Sequence, residues 1–124
     1  MTLKILAIDD SRTIREMLRM ALSKADFDVH LAEDGEEGVK VFRSLSPDIV
    51  ITDINMPKMD GFGVITSIRS GDISSSVPIL VLTTESAQDL KDRARTAGAT
   101  GWIVKPFDDE KLIAAIRRIA MVRG

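Results

Sequence analysis

Cysteine is absent from this 124-residue chain, which excludes disulfides and thiolate metal sites and is compatible with a reducing compartment. Aromatics are scarce, four phenylalanines and one tryptophan, a poor supply for the flanking rings that a flavin site wants. A basic excess is also missing. Seventeen Lys and Arg stand against nineteen Asp and Glu, for a net charge of −2, and the cations are scattered apart from Arg117, Arg118 and Arg123 near the end. Nucleic-acid binding therefore gains no support. The start, MTLKILAIDD, has one basic residue before it turns acidic, so it reads as a first strand and as neither a signal peptide nor a membrane span. A soluble, cytoplasmic protein is expected. One domain over residues 1–124 is expected too, long enough to bury about two-thirds of its unfolded surface without a cofactor.

What the chain does have is four short apolar runs, KILAI, DIVI, ILVL and WIV, each ending in a polar signature. These are DDS at Asp9 to Ser11, TDINMP at Thr52 to Pro57, TTE at Thr83 to Glu85 and KPF at Lys105 to Phe107. Such runs suit buried strands of a parallel sheet, whose carboxyl ends all lie along one edge. Acid, acid, hydroxyl and amine would then meet in space.

Helical patterns alternate with these runs. Ser11 or Thr13 can cap a helix with Ile14, Met17, Leu18, Ala21, Leu22 and Ala25 at helical spacing. A second strand covers roughly Val29 to Ala32. Asp34 and Glu37 read as a capping box for a helix that buries Val39 and Phe42 and ends before Pro47. Asp48 to Thr52 is the third strand. Gly61 opens a helix with Phe62, Ile65 and Ile68 on one face, closed by Gly71 and the polar loop Asp72 to Ser76. Pro78 starts the fourth strand, and Ser86 caps a helix with a stripe of small residues, Ala87, Leu90, Ala94 and Ala97, which makes it the loosest of the helices. Gly101 to Val104 is the fifth strand, and the last helix buries Leu112, Ile113, Ile116 and Ile119. Five βα units use up the chain, with no output domain expected. The fold class is α/β, a doubly wound five-stranded parallel sheet, in which ligands bind outside the carboxyl ends of the strands.

Four elements now stand in order: Asp9-Asp10, ITDINMPKMDG from Ile51 to Gly61, VPILVLTTES from Val77 to Ser86, and GATGWIVKPF from Gly98 to Phe107. Together they resemble, end to end, the receiver domains of two-component response regulators, and most of all the stand-alone CheY-type chemotaxis regulators. The resemblance implies the flavodoxin-like (βα)5 strand order 2-1-3-4-5, for which CheY itself is a stock example.

Three carboxylates at one edge, Asp9, Asp10 and Asp53, repel one another unless a cation sits among them, and hard oxygen ligands select a hard ion such as Mg²⁺. By resemblance Asp10 and Asp53 bind Mg²⁺ directly, with Mn²⁺ able to substitute; the backbone carbonyl of Asn55 is a third ligand, and Asp9 acts directly or through water. Asp53 is the expected phosphoacceptor. Its attack on phosphorus brings two anions together, and Lys105 and Thr83 are placed to neutralise and hold the transferred group. The resemblance makes the Lys105–Pro106 bond cis. Asn55 and Glu85, two residues beyond Asp53 and Thr83, are polar side chains placed to contact or orient water; the pairing resembles the short-lived chemotaxis type, which implies a labile aspartyl phosphate.

For the switch, Thr83 is the expected lever, and Trp102 on the fifth strand the residue that turns inward when Thr83 moves. Receivers resembling this one usually carry Tyr or Phe there, and a static, partly exposed Trp102 is the competing reading. The fourth helix, fifth strand and fifth helix would form the output face. The implied partners are a chemotaxis-type histidine kinase, the flagellar motor switch protein and a dedicated phosphatase, with neither nucleic acid nor membrane and with the chain a monomer. A phosphate sink competing for the same kinase is equally compatible with the site. Enzyme readings fare worse: a phosphohydrolase would want DxDxT, whereas Ser11 follows Asp9 at that spacing, and a flavin carrier would want a hydroxyl-rich first turn. The domain is expected to catalyse only its own phosphorylation and dephosphorylation. His30 reads as a surface histidine, Met17, Met20, Met56, Met59 and Met121 as core filler and loop packing, and the terminal arginines as a solvated helix face.

Overall fold

In the computed structural model, residues 2–70 and 75–122 are described, with side chains as far as Ala120. The expectations for Gly71, for most of the Asp72–Ser76 loop, for Arg123 and for the Met121 side chain lie outside the described residues. Strands and helices alternate: β1 Lys4–Ile8, α1 Arg12–Lys24, β2 Asp28–Ala32, α2 Gly35–Leu45, β3 Ile49–Thr52, α3 Gly61–Arg69, β4 Ile79–Thr83, α4 Gln88–Ala97, β5 Gly101–Val104 and α5 Asp109–Val122. All strand pairs are parallel, in the order β2-β1-β3-β4-β5.

The unbroken apolar runs of β1, β3 and β4 follow from covering the sheet on both faces. Side chains alternate across a strand, so Leu6, Ile8, Val50, Ile79 and Val81 join one buried cluster with Val39, Phe42, Ile65 and Ile68 of α2 and α3. Ile5, Ala7, Ile49, Ile51, Leu80 and Leu82 join the other with Leu18, Leu22, Leu112 and Ile116 of α1 and α5. The edge strands β2 and β5 are only partly buried. No helix among the described residues is long and apolar enough to cross a membrane.

Side-chain caps place most helix starts. Ser11, and not Thr13, caps α1, its Oγ accepting from the Ile14 N–H at 3.3 Å. Asp34 Oδ1 accepts from the Glu37 N–H at 2.8 Å, while Glu37 Oε1 reaches back to the Glu33 N–H at 3.2 Å. Asp60 caps α3 through the Gly63 N–H at 2.9 Å. At α4 the expectation fails: the N-cap is Ala87, with no side-chain bond, and Ser86 lies outside the helix. The residue before it, Glu85, has its backbone bonded on both sides, its N–H to Thr83 Oγ1 and its carbonyl to Trp102. With Ala87 as N-cap the apolar stripe loses that residue, and Ala94 is the sole fully buried residue of α4.

The methionines divide. Met56 and Met59 pack against the core from the β3–α3 loop, but Met17 and Met20 are 43% and 56% exposed on the outer face of α1 and are not core filler. His30 is partly exposed on β2, its Nε2 3.2 Å from Asp28 Oδ1 without hydrogen-bond geometry. Gly61 is required by close approach: a Cβ there would fall 2.2 Å from the Asp53 carbonyl oxygen, so the chain can fold back over the end of β3 only where no side chain stands.

Loss of the Asp34 cap leaves an N–H of the first turn of α2 without its acceptor. Asp34→Ala is expected to lower stability by about 1 kcal/mol, seen in urea titration as a lower midpoint with an unchanged slope.

Candidate functional site

The residues at the strand ends owe their position to backbone bonds that extend the ladder past the strands. The Asp9 N–H donates to the Ala32 carbonyl at 3.1 Å, the Asp53 N–H to the Ile8 carbonyl at 3.0 Å and the Lys105 N–H to the Thr83 carbonyl at 2.7 Å. The sheet order then sets Asp9, Asp53, Thr83 and Lys105 side by side along one edge.

Lys105 closes the group. Its Nζ donates to Asp9 Oδ2 at 2.7 Å and to Asp53 Oδ2 at 2.8 Å, and all three side chains are nearly shielded from water. The second oxygen of each carboxylate takes a backbone donor, Ser11 N–H to Asp9 Oδ1 at 2.9 Å and Ile54 N–H to Asp53 Oδ1 at 2.6 Å. The Lys105–Pro106 bond is cis. Asp10 is exposed, yet its carboxylate and those of Asp9 and Asp53 each offer an oxygen within 4.8 Å of the others. This donor set, all hard oxygens with one open side toward water, fits a hard divalent cation better than a soft one.

Burial sets the electrostatics. It pushes the Asp9 carboxyl above its ordinary pKa, aided by the nearby Asp53 charge, and the bonds from Lys105 and Ser11 offset this only in part. Burial also opposes the charge on Lys105, but there the hydrogen bonds to Asp53 and Asp9 prevail and its pKa lies above the ordinary value.

Glu85 joins the remaining predicted residues. Asn55 Nδ2 donates to Glu85 Oε1 at 3.0 Å, the Glu85 N–H donates to Thr83 Oγ1 at 3.3 Å, and Trp102 Nε1 donates to the Glu85 carbonyl at 3.0 Å. Thr83 is wholly buried. Trp102 is partly buried, packed against the α2–α3 core.

Some contributors escape a reading of the sequence. Arg15 Nη1 donates to the Asp9 carbonyl at 2.8 Å, and its place one turn beyond the Ser11 cap was the available signal. The Ile54 and Ser11 amides leave no mark in side-chain chemistry. Among the described residues, His30 and the methionines take no part in the cluster.

Residues 5–117 match the family of the response regulator receiver domain. The chain belongs to that family. Among curated relatives it is 43% identical over 118 residues to "Probable transcriptional regulator ycf27" of Porphyridium aerugineum, covering 94% of this chain and 47% of that protein. It is 40% identical over 120 residues to "Response regulator MprA" of Mycolicibacterium vanbaalenii, covering 96% and 51%. This receiver domain thus spans about half the length of the curated relatives it matches. Among solved structures, chemotaxis protein CheY4 of Vibrio cholerae superposes with a TM-score of 0.90 at 39% identity, covering 96% of this chain and 99% of that one. A receiver domain is a signalling module rather than a classical enzyme.

The raised pKa of Asp9 fixes the sign of a pH effect. A folded-state value above the unfolded one favours folding below the ordinary carboxylate range, and that favour is lost as pH rises through the folded value. At pH ~7 the Asp9 charge therefore works against the fold. In buffer free of divalent cations, Asp9→Asn, which keeps an acceptor for Ser11, is expected to melt at a higher temperature than the parent at neutral pH. That advantage should shrink below pH ~4. An equal or lower melting temperature at neutral pH contradicts the burial account.

Proposed function

We propose that Asp53 accepts a phosphoryl group from the phosphohistidine of a kinase and that the resulting aspartyl phosphate switches a binding face formed by α4, β5 and α5. The observation that carries the reading is the buried Asp53 carboxylate, bonded to a cation that also bonds Asp9, at the carboxyl edge of a doubly wound sheet. An oxygen of Asp53 attacks phosphorus, an O–P bond forms and the N–P bond to the histidine breaks. Mg²⁺, or Mn²⁺ in its place, held by Asp10, Asp53 and the Asn55 carbonyl with Asp9 directly or through water, would offset the charge of the transferring group.

Lys105 holds its ammonium where the transferred group would add its charge and donates to it. The Ile54 N–H orients the Asp53 carboxylate through its other oxygen. Thr83 sits on the neighbouring strand, where its hydroxyl can donate to a phosphoryl oxygen. In the structure that hydroxyl accepts from the Glu85 N–H, and turning it toward the phosphoryl group reorders the loop whose carbonyl holds the Trp102 indole. Phosphorylation would in this way bias a two-state element, as any switch requires. Asn55 and Glu85, bonded to each other beside Asp53, control the approach of water.

The output face has a chemistry of its own. A groove of about 530 Å³ between β5 and α5 is lined by Trp102, Ile103, Ala115 and Ile119 with Lys111 and Arg118. On the other side of Trp102, a cleft against α4 is lined by Ala94 and Ala99 with Lys91 and Arg95. Neither lining includes an acidic residue, so an acidic partner segment with apolar side chains fits best. The likeness to the chemotaxis protein CheY4 along 99% of that chain's length supports a chemotaxis output; the flagellar motor switch as its partner rests on the motif resemblance alone. The identity with ycf27 favours a second reading, in which the same face serves a transcriptional regulator.

With acetyl phosphate and Mg²⁺, the parent protein is expected to gain one labile phosphoryl group by intact-mass spectrometry and Asp53→Asn none; labelling of the Asn variant refutes the assignment. Replacing Asn55 and Glu85 together should change the decay of the label in magnesium buffer several-fold, and an unchanged rate refutes their role. Calorimetric titration with the motor-switch N-terminal peptide separates the outputs. At least about tenfold tighter binding (~1.4 kcal/mol) to the beryllofluoride-loaded protein supports the chemotaxis reading. Confirmed loading with no gain points to a phosphate sink or to the transcriptional reading.

A further inference from the structure

The two ends of α4 are held very differently. At the carboxyl end, Arg69, the last residue of α3, donates to the Gly98 carbonyl from both Nε at 3.0 Å and Nη2 at 2.8 Å. Its Nη1 donates to the Ser75 carbonyl at 3.0 Å and also to that of Val77. One planar guanidinium thereby ties the cap of α4 to the end of α3 and to the segment entering β4, a task suited to its rigid fork of donors. Gly98 is in the left-handed region at φ 117°, and a Cβ on it would meet the Arg69 side chain at 2.8 Å, so the two are in close contact. The Gly98 N–H is bonded back to the Ala94 and Arg95 carbonyls and the Ala99 N–H to Ala94. Thr100 is bonded twice to Ile79, at 2.7 Å through its N–H and at 3.0 Å through its Oγ1.

The amino end has no comparable hold. Ala87 offers no side chain to the first turn, residues 86–89 are all exposed, and the first helical bond, Lys91 N–H to the Ala87 carbonyl, is 3.2 Å long. Arg93, stacked 3.9 Å from the Phe62 ring centroid, is a mid-helix contact with α3.

We infer that Arg69 is the fixed pivot of α4, so that the helix opens and tilts from its amino end while residues 95–99 stay anchored to α3 and β4. Arg69 is a positioning residue in this scheme; it touches neither the acidic cluster nor the groove beside Trp102. The loose end follows the Glu85 loop, so a rearrangement at Thr83 reaches α4 where it yields most readily, and the anchored end converts that local shift into rotation of one exposed face.

Amide hydrogen exchange tests this in the unloaded protein, independently of phosphoryl transfer. Arg95 to Gly98 are expected to exchange at least about tenfold more slowly than Lys91 to Arg93, although helix ends ordinarily fray. Arg69→Lys keeps the charge but cannot span the carbonyls of Ser75, Val77 and Gly98; it should erase that gradient while Val50 and Ile51, which report global unfolding, change less. A flat or reversed profile in the parent overturns the pivot even if the lysine variant does not fold, and so does a folded lysine variant with the gradient intact. With Mg²⁺ and beryllofluoride, the change on loading should concentrate at Gln88 to Arg93. A uniform change along a loaded α4 also overturns the pivot, whereas failure to load tells against Asp53 as phosphoacceptor and leaves the unloaded gradient to decide.

Discussion

Both faces of the sheet are sealed by helices, and this constraint governs where any chemistry can occur. Ile5, Leu6, Val50, Ile51, Leu80 and Val81 are buried to within about one per cent of their surface, so a polar side chain on the body of β1, β3 or β4 would meet no water and few partners. Polar groups are therefore driven to the strand ends. Because the strands are parallel, the carboxyl ends fall on one edge, and Asp9, Asp53, Thr83 and Lys105 become neighbours although 96 residues separate the Asp9 and Lys105 that share a hydrogen bond.

The cluster that results is poised between two demands. Carboxylates this close together and this far from water are unfavourable, and Lys105 bonding to both Asp9 and Asp53 is what makes them tolerable. Removing Lys105 would leave two buried carboxylates without compensation, which costs more than the intact pairs contribute to stability. With Lys105 held between Asp9 and Asp53 and the exposed Asp10 carboxylate offering an oxygen within 4.8 Å of theirs, the cluster sets three carboxylates around the Lys105 ammonium.

Beyond the cluster, the rest of the domain is held unevenly. β1, β3 and β4 form a rigid floor. Glu85 touches Asn55 and Thr83 on one side and Trp102 of β5 on the other, so one loop residue carries contacts in both directions. The helix that follows has a single fully buried residue and an uncapped start. Elements that move are drawn from the weakly held part of a fold, and in this domain that part adjoins both the acidic cluster and the cleft beside Trp102.

The sequence by itself determined the βα alternation, the strand runs and the four strand-end signatures, because apolar periodicity and capping chemistry are local and survive without tertiary context. The Asp34–Glu37 cap and the buried faces of α1, α2 and α3 were legible for that reason. Ser86 misled as a cap because cap chemistry marks a residue type and does not fix the residue at which the helix begins, which here is one position later. Met17 misled because helical spacing marks a stripe without saying where it ends, and Met20 because residue type alone does not say which face of a helix it occupies. Only the tertiary structure decided that Lys105 bonds both Asp9 and Asp53, that Ile54 and Ser11 supply backbone donors, and that Arg69 binds the far end of α4. Each of these joins segments distant in the chain or uses backbone groups that every residue shares, and so neither leaves a local pattern in the sequence.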